Sequence, residues 1–470
     1  MGPIYQPDTD VSQADGTVAS LLTKARHAQA QVECWSQGRI DEAVAALGWH
    51  AYRDENALEL SQIAVKETGM GIVGDHFTRH RKRILGVLRD LDGINTMGVI
   101  YEDVDCGIQK IAKPVGVIGA VTPATGPTAA VITLALSAVK TRNAAIFCPN
   151  PKAKLAVQET VRILQRALKT VGAPQDLIQT IAEPTRERLL DFMCHVDLII
   201  ASGGKGTVQR AYTSGTPAYG AGVGNAVVIV DETADLHDSA AKIMAGKSFD
   251  YGTSCSAESC LIVADSIWET FLQVLRRLGA YLCDDIEATK VRAISWPDGR
   301  TLNRNIVGRS PKEIGYLAGI ELPEQTRAIV LPCDRYGADD PVGGEKLSPL
   351  LSVWKYQSFD EALNLAAQLT SFSGPGHSCG IYSSKQHRVD RLANELKVSR
   401  VMVNQSTGLG NTGSFDNGMP FTMILSCGTW GGSTTTENIT WKHLLNYTWV
   451  SRTIQRKEPK PEDYFSKYLG

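Results

Sequence analysis

Three observations predict an α/β fold built on parallel sheet. Apolar strands alternate with amphipathic helices along most of the chain, apolar residues make up 43% against 21% charged, and 43 glycines and 20 prolines punctuate the elements. From about Thr17 to Gly69 the apolar positions recur at helical spacing, as in DEAVAALGWHAYRDENALELSQIAVKET. A basic helix, FTRHRKRILGVLRDL, follows. Two β-like pieces over about 97–114, MGVIYEDVDCG and IQKIAKP, then form a hairpin arm suited to an oligomer contact. The alternation proper begins with strand VGVIGAVTP and helix TAAVITLALSAVKTR, and continues with AAIFCPN, AKLAVQETVRILQRALKTVG, LIQTIAE, ERLLDFMCH and VDLIIASGG. Helices of that length between strands imply right-handed crossovers. A second series runs from AVVIVDETAD and the helix at 234–248 through SCLIVAD, SIWETFLQVLRRLGAYL, AIVLP, LSPLLSVWKY, EALNLAAQL, GIYSS and VSRVMVN.

The 470 residues suffice for two or three domains. The pattern divides them into a dinucleotide-binding style of domain over 1–228, a second α/β domain over 229–428, and a segment at 429–470 that returns to the first domain or to a neighbouring subunit. A formal net charge of -2 provides no global field for nucleic acid or an anionic membrane, so a small-molecule substrate is expected. The opening MGPIYQPDTD lacks the basic and apolar regions of an export signal, and no apolar run reaches the ~18 residues of a membrane span. Ten cysteines are scattered without a C-x-x-C pair or zinc spacing, which reads as reduced thiols in a cytoplasmic protein with no metal. The sequons at Asn404, Asn438 and Asn446 then carry no weight.

Chemistry concentrates in two places. FDYGTSCSAES puts Cys255 on a loop between helix and strand, where nucleophiles usually sit and where backbone N–H groups or a positive dipole can lower a thiol's pKa. A buried, inert thiol is the competing reading of such a cysteine, and the one given to Cys260. The glycines of ASGGKGTVQRAYTSG follow a strand and open a helix whose N–H groups can face a phosphate. Those of YGAGVGNAVVIVDETAD precede a strand, the wrong order for a G-x-G-x-x-G fingerprint.

Taken together, VGVIGAVTPATGPTAA, AAIFCPNPKAK, the two glycine segments, FDYGTSCSAES, EKLSPLLSVW, GPGHSCGIY and LSCGTWGGSTTTENITWKHLLN resemble, in that order, the CoA-acylating branch of the aldehyde dehydrogenase superfamily. The resemblance spans roughly residues 20 to 450. It implies the aldehyde dehydrogenase-like fold, with a Rossmann-type cofactor domain, an α/β catalytic domain and a β-arm, in a homodimer or homotetramer. It also implies Cys255 as the nucleophile, a nicotinamide cofactor, and coenzyme A and an aldehyde as substrates. The positions it assigns to the cofactor are Thr122, Pro123, Thr125, Pro149, Asn150, Lys152, Ser202, Gly203, Gly204, Gly222, Gly224, Asn225 and Glu345. Gly126, Tyr251 and His377 fall in the substrate and CoA region. For His377, plain hydrogen bonding and catalysis remain equal alternatives.

The chain departs from that pattern in ways that bear on chemistry. Hydrolytic members carry a glutamate to activate water where this chain has Gly220; a displaced carboxylate, Glu258, is the alternative base. Gly126 stands in place of the branch's oxyanion-binding asparagine and leaves room for a bulkier or charged aldehyde. Tyr251, Ala257 and Ser259 replace a usual asparagine, serine and glutamine around the nucleophile, which points to an unusual substrate. After the second strand, Cys148, Pro149, Asn150 and Pro151 lead to Lys152 and Lys154 with no carboxylate to repel a 2′-phosphate. The reading leans to NADP over NAD, with a solvated helix start as the alternative. The run Arg79 to Arg83 reads chiefly as solvated helix charge, the other reading being attraction of CoA phosphates or an anionic aldehyde. Within the branch the chain most resembles members that act on sulfoacetaldehyde.

Overall fold

The structure, a computed structural model, describes residues 17–337 and 340–469; the opening segment read for an export signal lies outside them. Two parallel sheets carry the molecule, and a small antiparallel sheet projects from the first. The first sheet has five strands in the order Ile178–Thr180, Ala144–Pro149, Val117–Thr122, Leu198–Ser202 and Ala218–Ala221. All neighbours run parallel. Its first strand in sequence lies at the centre, so the connections wind outward one way and then the other. That reversal opens a crevice beyond the ends of Val117–Thr122 and Leu198–Ser202, where α/β sheets bind ligands.

Every residue of Val117–Thr122 and Ala144–Pro149 is buried, as expected of near-continuous Val, Ile and Ala runs covered by helices on both faces. The helix Pro127–Lys140 is apolar all round and buried all round, lying against helices Gln37–Tyr52, Val73–Leu91 and Lys154–Thr170. Proline at its first position and Gly126 just before it set its start at the crevice.

The second sheet has seven parallel strands, in the order Ala280–Leu282, Ala328–Pro332, Leu350–Tyr356, Glu258–Ala264, Ala226–Val230, Cys379–Tyr382 and Val401–Val403. The antiparallel sheet joins the hairpin Gly98–Asp103 and Ile108–Pro114 to the late strand Leu445–Ser451. Phe421, Ile424, Ile439 and Leu444 enter the core of the first sheet.

Several elements differ from the sequence reading. Ala218–Ala221 is a strand, so Gly222 and Gly224 both follow one strand and precede another: they form the crossing between the two sheets. Ala280–Leu282 is a separate edge strand and not the end of the preceding helix, which stops at Arg277 because Gly279 turns the chain with φ 96°. Helices Asp285–Ser295 and Pro311–Ala318 went unread, although capping boxes at Asp284/Glu287 and Ser310/Glu313 start them. No described helix is long and apolar enough to cross a membrane.

Candidate active site

Cys255 lies on the turn between a short 3-10 segment, Phe249–Gly252, and the strand Glu258–Ala264. The turn is built under constraint. Asp250 and Tyr251 both take left-handed backbone, φ 53° and 51°. Asp250 is held from all sides: its Oδ1 accepts from Ile72 N (2.9 Å) and faces His76 Nε2 (3.2 Å), and its Oδ2 accepts from Arg79 Nη1 (2.8 Å) and Thr253 Oγ1 (2.7 Å). Burial opposes ionisation of Asp250, but the Arg79 guanidinium and the His76 imidazole outweigh it, so the carboxyl stays well below the usual range.

Arg79 and Arg83 therefore correct the solvated-helix reading of the basic run. With His76 and His80 they form the buried face of helix Val73–Leu91. Arg83 donates to Thr412 O (2.5 Å) and Gly413 O (2.8 Å) as well as to the Thr412 hydroxyl.

The glycines at the sheet crossing press against the cysteine. A β-carbon on Gly224 would lie 2.7 Å from both the carbonyl carbon and the Cβ of Cys255, and nearer still to its carbonyl oxygen. Gly224 N donates to Glu345 Oε1 (2.9 Å), and Asn225 Nδ2 donates to Gly343 O (2.8 Å) and Leu369 O (3.2 Å). The structure thus brings Gly224, Asn225, Cys255 and Glu345 together, with Tyr251 on the same turn. Gly222 lies beside a further cysteine, Cys427, whose Sγ would stand 3.4 Å from a β-carbon there.

Cys255 is partly accessible, yet its thiol is pushed up to about 12, first by burial and then by the carboxyl of Glu345 and by Cys427; Ser256 and Arg400 oppose the shift. The sequence expectation of a lowered thiol pKa does not hold, because burial first and the Glu345 carboxyl second outweigh the local donors. Burial also raises Glu345 itself, to about 8, against the bond from Gly224 and the charge of Lys247.

One candidate hydrolytic base is absent and the other is bonded through one oxygen. Glu258 Oε1 accepts from Ser406 Oγ (2.8 Å), Thr407 N (2.8 Å) and Gly408 N (3.4 Å), which ties this carboxyl to the chain around Ser406, while its Oε2 is buried without a partner among the described residues. Gly220 has no side chain and no room for one, since Val208 and Tyr212 pack against it.

His377 is buried, with Nδ1 2.9 Å from Ser378 Oγ and Nε2 without a partner among the described residues. Burial and then Arg400 press its pKa down to about 3, so the ring is neutral at physiological pH. Arg400, which the sequence reading passed over, ties the site's loops together by donating to His377 O (3.2 Å), Ser426 O (3.0 Å), Thr436 O (3.2 Å) and Asn438 Oδ1 (2.7 Å). Its only sequence signal was a lone basic residue at the head of an apolar strand.

The remaining predicted positions gather at the crevice of the five-stranded sheet. Thr122, Pro123, Thr125 and Gly126 form the loop after the central strand, Pro149 and Asn150 end its neighbour, and Ser202, Gly203 and Gly204 follow the strand on the other side. Asn150 N donates to Thr122 O (3.2 Å), and Asn150 Oδ1 caps Lys152 N (3.0 Å). Thr122 Oγ1 is buried without a partner among the described residues, and open space surrounds Gly204 and Gly206 at the start of helix Lys205–Thr213. A hydroxyl in need of a partner and glycines that let a phosphate approach backbone N–H groups fit a dinucleotide.

The charge argument for NADP needs correction. Lys154 is paired with Glu183 (2.8 Å), and Glu67 accepts from Leu155 N (2.8 Å) and Ala156 N (2.9 Å), so carboxylates do approach this helix start. Lys152 remains exposed. A cleft of about 1460 Å³ lined by Arg292, Trp296 and Trp354 includes none of the cysteine turn.

The strand order, the crevice and the cysteine turn at the sheet crossing define a class of protein. The chain belongs to the aldehyde dehydrogenase family, whose sequence profile matches residues 8–282. Among its relatives is the sulfoacetaldehyde dehydrogenase of an Acholeplasma species, 43% identical over 96% of this chain and 94% of the relative. The sulfoacetaldehyde dehydrogenase (acylating) of Bilophila wadsworthia is 40% identical over 96% and 99%. The crystal structure of an acetylating aldehyde dehydrogenase from Geobacillus thermoglucosidasius superposes with a TM-score of 0.91 at 36% identity, covering 94% of this chain and 98% of that one.

Proposed function

We propose that this chain oxidises an aldehyde to its acyl-CoA with reduction of NAD(P)+, and that its aldehyde is a short anionic one, sulfoacetaldehyde. The observation that carries the reading is the cysteine turn itself. Cys255 is fixed against Gly224 beside the dinucleotide crevice, with Gly220 where a water-activating glutamate would stand and Glu258 tied through Oε1 to the chain around Ser406. The Cys255 sulfur attacks the aldehyde carbon, forming a hemithioacetal. Thr122, Asn150 and the backbone at Gly203 and Gly204 would hold a nicotinamide dinucleotide, which would supply the hydride acceptor; loss of hydride from the hemithioacetal leaves a thioester on Cys255. With Gly220 in the place of a water-activating glutamate, that thioester persists until the thiol of coenzyme A takes the acyl group and releases Cys255. Burial first and Glu345 second raise the thiol, so its deprotonation calls for a change in the surroundings of the sulfur when substrates bind.

Thr122, the backbone at Gly203 and Gly204, and Asn150 are the groups we assign to the dinucleotide. Preference for NADP would rest on Lys152 alone, given the pairing of Lys154. The names of the relatives and the free thiols support the substrate and a cytoplasmic setting. The hairpin with Leu445–Ser451, which exposes Tyr101 and Trp449, suits an interface in a homodimer or homotetramer. The test is absorbance at 340 nm with sulfoacetaldehyde and NAD+ or NADP+. NAD(P)H should accumulate only when coenzyme A is present and should be lost in Cys255→Ser; steady formation without coenzyme A would refute the acylating reading.

A further inference from the structure

Arg79 carries a feature that the chemistry above does not use. One arm of its guanidinium, Nη1, is spent on Asp250 Oδ2 at 2.8 Å. The other, Nη2, is buried and has no partner among the described residues, although the side chain is more than nine-tenths buried at 8% exposure. An unpaired donor of a charged group in the interior is costly, and each such case calls for a reason. Its direction supplies one. Nη2 and Cζ of Arg79 lie 3.6 Å from the point where a β-carbon on Gly126 would sit, and Met423 Cε lies 3.4 Å from the same point. Gly126 has φ 143° and immediately precedes helix Pro127–Lys140, on the loop after the central strand. Arg79 is also tied to the nucleophile's turn, because Asp250 Oδ2 accepts from Arg79 and from Thr253, two residues before Cys255.

Two carboxyls stand near Arg79: Asp250, which it pairs with, and Asp75, which accepts from Asp250 N (2.7 Å) and leaves Nη2 unbonded. Asp250 is ionised and answers one guanidinium, while Arg83 nearby is held by carbonyl and hydroxyl oxygens, with no carboxylate at ion-pair distance among the described residues. A fixed cation with a spare donor, beside a missing side chain and tied through Asp250 to the turn that carries Cys255, favours an anion. Met423 closes the space, and its unbranched, rotatable side chain can give way to a ligand.

We infer that Arg79 is the specificity-determining residue of this enzyme: its free Nη2, facing the space left by Gly126, receives the oxyanion of the aldehyde's far end, a sulfonate or carboxylate. The inference rests on the acylating reading above and deepens it by naming what selects the substrate. Asp250 is then a positioning residue that aims the guanidinium while leaving one face of it unused.

The test compares kcat/KM for sulfoacetaldehyde, succinate semialdehyde and propanal in the wild-type protein and in Arg79→Lys, which keeps a cation for Asp250 but withdraws the second nitrogen. Ethanesulfonate serves as an unreactive probe of binding, measured by calorimetry. Losing one charge-assisted hydrogen bond should lower the ratio of anionic to neutral turnover by about 10- to 100-fold and weaken ethanesulfonate binding by a similar factor. Should the lysine variant fail to fold, Gly126→Ala interposes a methyl group with Arg79 intact; because φ 143° strains any side chain there, only the ratio of anionic to neutral turnover is read, and it should fall. An unchanged ratio, or an equal fall on all three aldehydes, would overturn the inference, the latter indicating a structural or carbonyl-polarising role. The relative fall on sulfoacetaldehyde and on succinate semialdehyde identifies which oxyanion the site prefers. If propanal is turned over with coenzyme A while sulfoacetaldehyde and succinate semialdehyde are not and ethanesulfonate does not bind, the acylating reading stands and this inference fails. If no aldehyde supports CoA-dependent reduction, that reading fails, and ethanesulfonate binding to wild type against Arg79→Lys still decides the role of Arg79.

Discussion

Replacing Gly224 by alanine separates a spatial requirement from a conformational one, since φ at Gly224 is not in the left-handed range. The new methyl carbon would lie 2.7 Å from two carbons of Cys255, against an ordinary carbon–carbon contact of about 3.5–4.0 Å. Relieving that overlap takes roughly 1 Å of movement, and the atoms in the way are backbone and Cβ of the nucleophile, not the flexible end of a side chain. Overpacking of this kind costs about 1–3 kcal/mol of stability. Misplacing a reacting group by roughly 1 Å costs about 100-fold in rate. Gly224→Ala should therefore lose about two orders of magnitude in kcat for CoA-dependent NAD(P)H formation, with a lowered thermal midpoint and altered iodoacetamide labelling of Cys255. Gly222→Ala is the matched control: its methyl would meet Cys427 Sγ at 3.4 Å, an ordinary contact, so its kcat should stay within a few-fold of wild type. Wild-type kcat and labelling in Gly224→Ala would refute the claim that this backbone contact sets the position of the sulfur.

Other outcomes follow from the same site. The folded pKa of Glu345, about 8, lies above its unfolded value, so its folded form holds the proton longer and stability falls as pH rises from about 4.5 to 8. Glu345→Gln should thus raise the thermal midpoint at pH 9 by more than at pH 5. It should also speed alkylation of Cys255 at pH 9 by removing a neighbouring negative charge; equal effects at both pH values would count against the assignment. Tyr251 holds left-handed backbone at φ 51°, which asparagine adopts more readily, so Tyr251→Asn should stabilise the protein by about 1 kcal/mol in thermal unfolding. Lys152→Ala should raise KM for NADP+ more than for NAD+ if Lys152 meets a 2′-phosphate; equal changes would remove that role.

The sequence revealed the two parallel series because buried strands and amphipathic helices leave different periodicities, and it placed Cys255, Gly224 and Glu345 through ordered motifs. Pairings between distant segments left no such trace. Nothing near Arg79 in sequence announces Asp250, 171 residues on, which is why the basic run was read as solvated. One clue was present all the same: His76, Arg79, His80 and Arg83 recur at helical spacing and share a face, whereas Arg81 and Lys82 fall between them. The helices Asp285–Ser295 and Pro311–Ala318 had their signals in DDIE and SPKE, but their weak apolar periodicity hid them. Arg400 and Cys427 were beyond reach, because their importance lies in the loops that they bring together.

The late strand Leu445–Ser451 has a consequence for how the molecule is made. It completes the small sheet by pairing with Ile108–Pro114, and Phe421 to Leu444 fill the core beneath strands laid down some 300 residues earlier. The seven-stranded sheet draws only on 226–403, so it has all its strands while the ribosome is still supplying the tail. The amino-terminal half, although synthesised first, is the part that must wait, with apolar surface open until the last segment arrives. Birth order and completion order are thus reversed, and a released chain truncated near residue 410 should expose the first sheet, not the second, to chaperones and proteases.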